Sequence, residues 1–177
     1  MGAAVASAFD LSNAVLMKEW DFTQSNIGRF DTIMYTIRAW SLTALTGGIG
    51  VAASQHAPQL MLLVAIVAMA LWFLDALHKS FQRVFILRSR EIEDYLRSPQ
   101  YRYDHRLERW TGFRSPDTAR RLRNPGMLTG FLQPLGYMAY RSVIMVHLPV
   151  VTMCIVAFVV LQLVIPAAAP QPASAGH

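Results

Sequence analysis

The feature that most constrains this chain is where its charges are missing. Between Arg38 and Asp75 lie 36 residues without an Asp, Glu, Lys or Arg, and the stretch from Ser142 to the C-terminus supplies another 36. Between these tracts, residues 79–141 hold thirteen of the sixteen Lys and Arg against six acids. A soluble fold of 177 residues spreads charge over its whole surface, so this segregation points to lipid. Composition agrees: 54% of the residues are hydrophobic and 15% charged, against about a quarter charged in soluble domains.

The apolar run 143–165 is long enough to cross a bilayer. At a rise of about 1.5 Å per residue it spans about 34 Å, against a hydrocarbon core of about 30 Å. The first tract divides at Ser54-Gln55-His56-Ala57-Pro58, a turn-like cluster in which Pro58 suits the first position of a new helix. The halves, 33–53 and 59–77, are membrane-length if Arg38 and Asp75 are included, and predict a tight helical hairpin. The expected fold class is therefore an all-α membrane protein with three transmembrane helices. The positive-inside rule puts 79–141 in the cytoplasm, the N-terminus inside and the C-terminus in the periplasm of a bacterial inner membrane.

The second span should not stop at the bilayer. No Pro or Gly interrupts the helical pattern between Pro58 and Pro99, and Phe81, Val84, Phe85, Arg88, Ile92, Tyr95 and Leu96 follow one stripe. The expected segments are an N-terminal amphipathic helix in 1–32, the hairpin 33–78 and a cytosolic extension 79–98. A basic, irregular and then interfacial segment, 99–142, leads to the third span and a Pro/Ala-rich tail, 166–177. In the first helix Leu11, Val15, Leu16, Trp20, Ile27 and Phe30 recur at helical spacing. An amphipathic extension of this length needs a partner, either that N-terminal helix or a second copy of the chain. No secretory signal is expected, because the first fifteen residues lack a basic region and carry Asp10. Ala6 breaks the myristoylation pattern begun by Met1-Gly2.

Several residues are candidates for chemistry. Gly48-Ile49-Gly50-Val51-Ala52-Ala53 spells GxGxxA with Asp75 downstream, but a dinucleotide site needs a preceding strand and βαβ units that the sequence does not offer. Helix packing accounts for it better: Ala44, Gly48 and Ala52 recur every four residues as a small-residue face. Asp75 is the only acid in an apolar span; with Arg38 and Lys79 at similar depth it predicts an intramembrane ion pair, and a proton relay is the alternative. Arg83, Arg88, Arg90, Arg120, Arg121 and Arg123 are expected to meet anionic headgroups or an acidic partner. Tyr101, Tyr103, Trp110 and Phe113 interleave with arginines as in nucleic-acid stacking platforms, a reading that a small membrane-anchored chain disfavours. His147 reads as a packed polar residue. The five histidines lack metal-ligand spacing, the single Cys154 excludes an internal disulfide, and no nucleophile–base pair is evident. No catalysis, cofactor or metal is expected.

The layout carried by KEWDFTQSNIGRFD, by the spans on either side of SQHAP and by WFLDALHKSFQRVFILRSREIEDYL resembles the bacterial two-span hairpin proteins of the SLATT type. The likeness is one of layout over less than half of the chain, and the third span and tail depart from it. It implies self-association and membrane-pore formation. The expected function is thus a non-enzymatic, self-associating, pore-forming inner-membrane protein, assembled through the small-residue face of the first span and the cytosolic helix. The alternative is an accessory subunit of a larger respiratory or photosynthetic complex.

Overall fold

The computed structural model describes residues 7–111, 113–118 and 134–165, and these are helical with no strand among them. Among the described residues the main helices are α1 (Ala8–Ser54), α2 (Leu60–Arg97), α3 (Pro99–Arg106) and α4 (Arg141–Val164), and residues 134–138 are helical as well. Helices α2 and α4 are each long and apolar enough to cross a membrane. The apolar part of α1 is diluted by Ser41, Thr43, Thr46 and three glycines, Gly47, Gly48 and Gly50. The tail and residues 119–133, with Arg120, Arg121 and Arg123, lie outside the described residues.

The N-terminal helix and the first hairpin arm are a single uninterrupted helix. Its start is set by a capping box: Asp10 N donates to Ser7 Oγ (3.1 Å) and Ser7 N to Asp10 Oδ2 (3.2 Å). With 47 residues, α1 is about 70 Å long. It ends where Ala57 N reaches Ala52 O and His56 N reaches Ala53 O, with His56 in the left-handed region at φ 51°. That is a Schellman stop, which reverses the chain within five residues. Pro58 lies in the turn rather than in the helix, and α2 begins two residues later. At the other end of α2, Ser98 caps α3 with Pro99 at its first position, so part of the segment expected to be irregular is helical.

The hairpin register is written as a seven-residue ladder. Gln24 donates to Ser89 Oγ (2.7 Å), Gln82 to Asp31 Oδ1 (2.7 Å) and Arg38 to Asp75 Oδ2 (2.9 Å). Each rung steps seven residues up α1 and seven down α2, the period of an antiparallel coiled coil. The next positions in the progression, Leu45 with Ala68 and Ala52 with Met61, are apolar. They join Val150 and Cys154 of α4 in one buried cluster. The three helices thus pack as a bundle at the turn end, while α1 and α2 run on as a two-helix rod at the other. The extension of α2 therefore finds its partner in the first half of α1, within the same chain.

The small-residue row has the same fate. Ala52 is buried, Ala44 half-buried, and a side chain added at Gly48 would run into the methyls of Val64 on α2. The row expected to mediate self-assembly instead seats α2 within the chain. Val64 is β-branched and stiff at χ1, so it yields poorly. Gly48→Ala is expected to destabilise the hairpin by about 1–3 kcal/mol. Gly47→Ala, which meets nothing within 4 Å, should stay within about 0.5 kcal/mol of wild type. Thermal unfolding in one detergent compares the two; equal effects would contradict this packing.

Candidate functional site

Three acids, Glu19, Asp75 and Asp104, are buried, and each gathers one part of the fold. Asp75 is the only one in the apolar bundle, and it is fully buried. Its Oδ2 accepts from Arg38 Nε on α1 (2.9 Å) and from His147 Nε2 on α4 (3.1 Å), so one oxygen joins all three helices. The His147 ring is stacked on Trp72, with centroids 6.2 Å apart and planes 10° from parallel. Trp72 in turn donates to Met138 O (3.1 Å), tying the segment that leads into α4. Pro149 lies two residues beyond His147, and α4 continues through it without a break.

Lys79, expected beside Asp75, is not part of this centre. Its ammonium donates to Gln82 Oε1 at 2.7 Å, one turn farther from the bundle. A lysine at the edge of an apolar span extends towards water, and here the next polar rung meets it on that side. The second partner of Asp75 is His147, 72 residues away in sequence, which helical spacing around Asp75 cannot reveal.

The centre is charged, buried and not fully satisfied. Asp75 Oδ1 and His147 Nδ1 are buried with no hydrogen-bond partner among the described residues. Beyond it, towards the turn, lie Ser41, whose hydroxyl is spent on Ile37 O, and then the apolar cluster of Leu45, Ala52, Met61, Ala68, Val150 and Cys154. On the other side the ladder continues as polar rungs. The centre can therefore hold a proton or ordered water and can fasten α4 to the hairpin, but the interior of one chain is closed by apolar packing. Among the described residues no three His, Cys, Asp or Glu side chains converge as a metal-binding set.

The second acid organises the rod. Glu19 accepts from Arg88 Nε (3.1 Å) and Nη2 (2.8 Å), Ser115 Oγ (2.7 Å), the backbone N–H groups of Asp117 (2.8 Å) and Thr118 (3.0 Å), and Thr118 Oγ1 (2.7 Å). Burial alone would raise its pKa; the bonds from Arg88, Ser115, Asp117 and Thr118 outweigh burial and hold it at about 2. Arg88 is 2% exposed, also donates to Arg114 O (2.6 Å), and lies over the Phe113 ring at 5.0 Å. The sequence-based expectation that Arg88 meets lipid or a partner is thus corrected: its guanidinium is consumed inside the chain. Arg83 is half-buried and Arg90 exposed.

The third acid closes the far end. Asp104 accepts from Tyr95 Oη and Gln100 Nε2 (both 2.9 Å) and from Thr111. Burial opposes its ionisation, but the bonds from Thr111, Tyr95 and Gln100 hold its pKa below the usual carboxylate range. Burial and the Asp104 carboxylate push the Tyr95 phenol up. Tyr101, Trp110 and Phe113 pack with Leu16, Ile92 and Tyr95, and Phe113 stacks on Tyr95 at 4.3 Å. Three of the four aromatics that suggested base stacking are thus half-buried against this core; Tyr103 is exposed. Their sequence signal was correct as aromatic clustering and silent about which way the rings face. No family model, no curated protein and no solved structure matches this chain.

Proposed function

We propose that this chain is a non-enzymatic, self-associating protein of the bacterial inner membrane. Three helical segments cross the bilayer, and the α1–α2 rod stands in the cytoplasm. Membrane placement is supported by exposed apolar side chains such as Leu62, Leu63, Ile66, Ile155, Val159 and Leu163 on the two hydrophobic helices. The positive-inside rule orients the N-terminus inwards and the C-terminus to the periplasm. Arg83, about 6 Å along the helix from Lys79, lies within a Debye length of the headgroups, whereas Arg90, about 17 Å away, lies beyond it.

The observation that carries self-association is the outward face of α1. Thr32, Thr36, Ala39, Thr43, Gly47 and Gly50 recur at spacings of three and four, and all are exposed. The threonine hydroxyls bond back to their own helix, Thr36 to Thr32 O (3.0 Å) and Thr43 to Ala39 O (3.0 Å), so the face they present is largely nonpolar. Tyr35 and Trp40 border it around a cavity of about 240 Å³. Where α2 and α4 offer lipid large aliphatic side chains, α1 offers a shallow surface on which another backbone packs closely. The second copy of α1 is the occupant that the SLATT-like layout suggests. A pore would run between copies, since the interior of one chain is filled.

Cysteines placed at Ala39 or Thr43 in a Cys154→Ala background are expected to cross-link copies within native membranes. Gly47→Leu should reduce that yield by about tenfold, equivalent to about 1.4 kcal/mol. Absence of cross-links together with a monomeric mass in detergent overturns the proposal. Co-purification of other chains in fixed ratio would replace it with the accessory-subunit reading, in which the same face meets a different helix.

A further inference from the structure

The arginines at the free end of the rod are not explained by the membrane. From Asp75 to Arg97 helix α2 runs 22 residues, about 33 Å. Surface potential decays over a Debye length of about 8–10 Å at physiological salt, so headgroup attraction and orientation do not account for charge placed there. Yet Arg97, Arg102, His105, Arg106 and Arg109 are all exposed at this end. Of the two acids within 97–109, Asp104 is buried and spent on Tyr95, Gln100 and Thr111, while Glu108 is exposed, as are Asp94 on α2 and Asp10 at the start of α1.

Three of these residues make a concave seat together with Tyr101. Tyr101, Arg102, His105 and Arg106 line a solvent-open cavity of about 540 Å³ on α3. Two of its walls are fixed from behind: Tyr101 donates to Asn13 Oδ1 (3.2 Å) and packs edge-on against Tyr95, and His105 stands edge-on to Phe9 at 5.3 Å. Arg102 and Arg106 lie one helical turn apart, and neither is ion-paired among the described residues. The helix dipole explains a cation in the last turn of α3, where His105 and Arg106 sit, but not Arg102 in its middle. Two guanidinium forks one turn apart suit the oxygens of a phosphate group, with five donors each and no acceptor.

We infer that the cavity lined by Tyr101, Arg102, His105 and Arg106 is a binding site for a soluble phosphate-bearing anion of diphosphate or nucleotide size. Its distance from the bilayer separates that ligand from a lipid headgroup, and the site works whether or not α1 self-associates. The full-length protein in phosphatidylcholine nanodiscs is titrated calorimetrically with inorganic pyrophosphate and with ATP at low salt. Both are expected to bind at submillimolar concentration. Arg102→Gln with Arg106→Gln should weaken binding by at least about tenfold, while Arg90→Gln, outside the cavity, leaves it unchanged. Helicity by circular dichroism keeps misfolding apart from loss of the site. Including anionic lipid in the nanodisc should not compete. The inference is overturned by no heat at millimolar ligand, by equal weakening in Arg90→Gln, or by competition from anionic lipid.

Discussion

Glu19→Ala is expected to destabilise the rod by about 3–5 kcal/mol, because it leaves the buried Arg88 guanidinium without its bidentate counter-ion. It also removes the acceptor of Ser115, Asp117 and Thr118, so residues 114–118 should become the first site of limited proteolysis. Arg88 keeps Glu91 at 3.3 Å, but that carboxylate is 42% exposed and replaces little of the lost interaction. The pH dependence has a definite sign. The Glu19 pKa is depressed from an ordinary 4.5 to about 2, so its contribution is present above about 4.5 and lost as pH falls through about 2. Asp104 contributes acid lability of the same sign. Glu19→Gln should therefore lower stability at neutral pH and flatten, without abolishing, the acid limb of an unfolding curve. A neutral-pH loss under about 1 kcal/mol in Glu19→Ala would show that the surrounding packing, not this carboxylate, holds the segment.

The second large effect is expected at Asp75. Asp75→Leu strands two partners with different means of escape. Arg38, 27% exposed, can turn outwards, whereas His147 is fully buried and cannot reach water without moving α4. The cost of breaking such a buried charged group is about 3–5 kcal/mol. It should appear as undocking of α4 rather than loss of the hairpin, since Gln24–Ser89 and Asp31–Gln82 still hold the register. Cys154 supplies a native reporter: it is the single cysteine, fully buried between α4 and the hairpin. Maleimide labelling of Cys154 in membranes should be slow in wild type and fast in Asp75→Leu. Adding His147→Leu should restore protection, because removing both ends of a buried polar contact costs far less than removing one. If Asp75→Leu leaves labelling slow, the centre is not what fastens α4.

The two predictions differ in how much of their basis is visible along the chain. The Arg38–Asp75 contact is legible: the residues lie equally far from the turn at 55–59, so two antiparallel helices bring them level. The Glu19–Arg88 pair was hidden because α1's apolar stripe, right at Leu16, strays at Leu11 and Val15 from the side that faces α2. Leu11 and Val15 are exposed, and Phe9, Glu19 and Thr23 take the buried positions. A charged residue inside a stripe reads as an interruption until its counter-ion is known. On α2 the stripe was nearly right, with Phe85, Ile92 and Tyr95 buried, but it placed Arg88 beside them without a partner and Phe81, 42% exposed, among them.

What the amino-acid sequence determined by itself is one-dimensional. The absence of charge over 36 residues demands apolar surroundings, the SQHAP cluster breaks the helix, and Pro99 ends the second helix whatever lies nearby. These follow from local sterics and from the cost of taking charge out of water, which need no neighbour. Tertiary structure decided the rest. Of two small-residue rows on α1, it gave Ala44, Gly48 and Ala52 to α2 and left Ala39, Thr43 and Gly47 outside. It moved Arg88 from the surface to Glu19, Lys79 to Gln82, and His147 to Asp75. Helical periodicity tells which residues share a face. It carries no information about the rotation of that face against a second helix, and that rotation sets which polar groups meet.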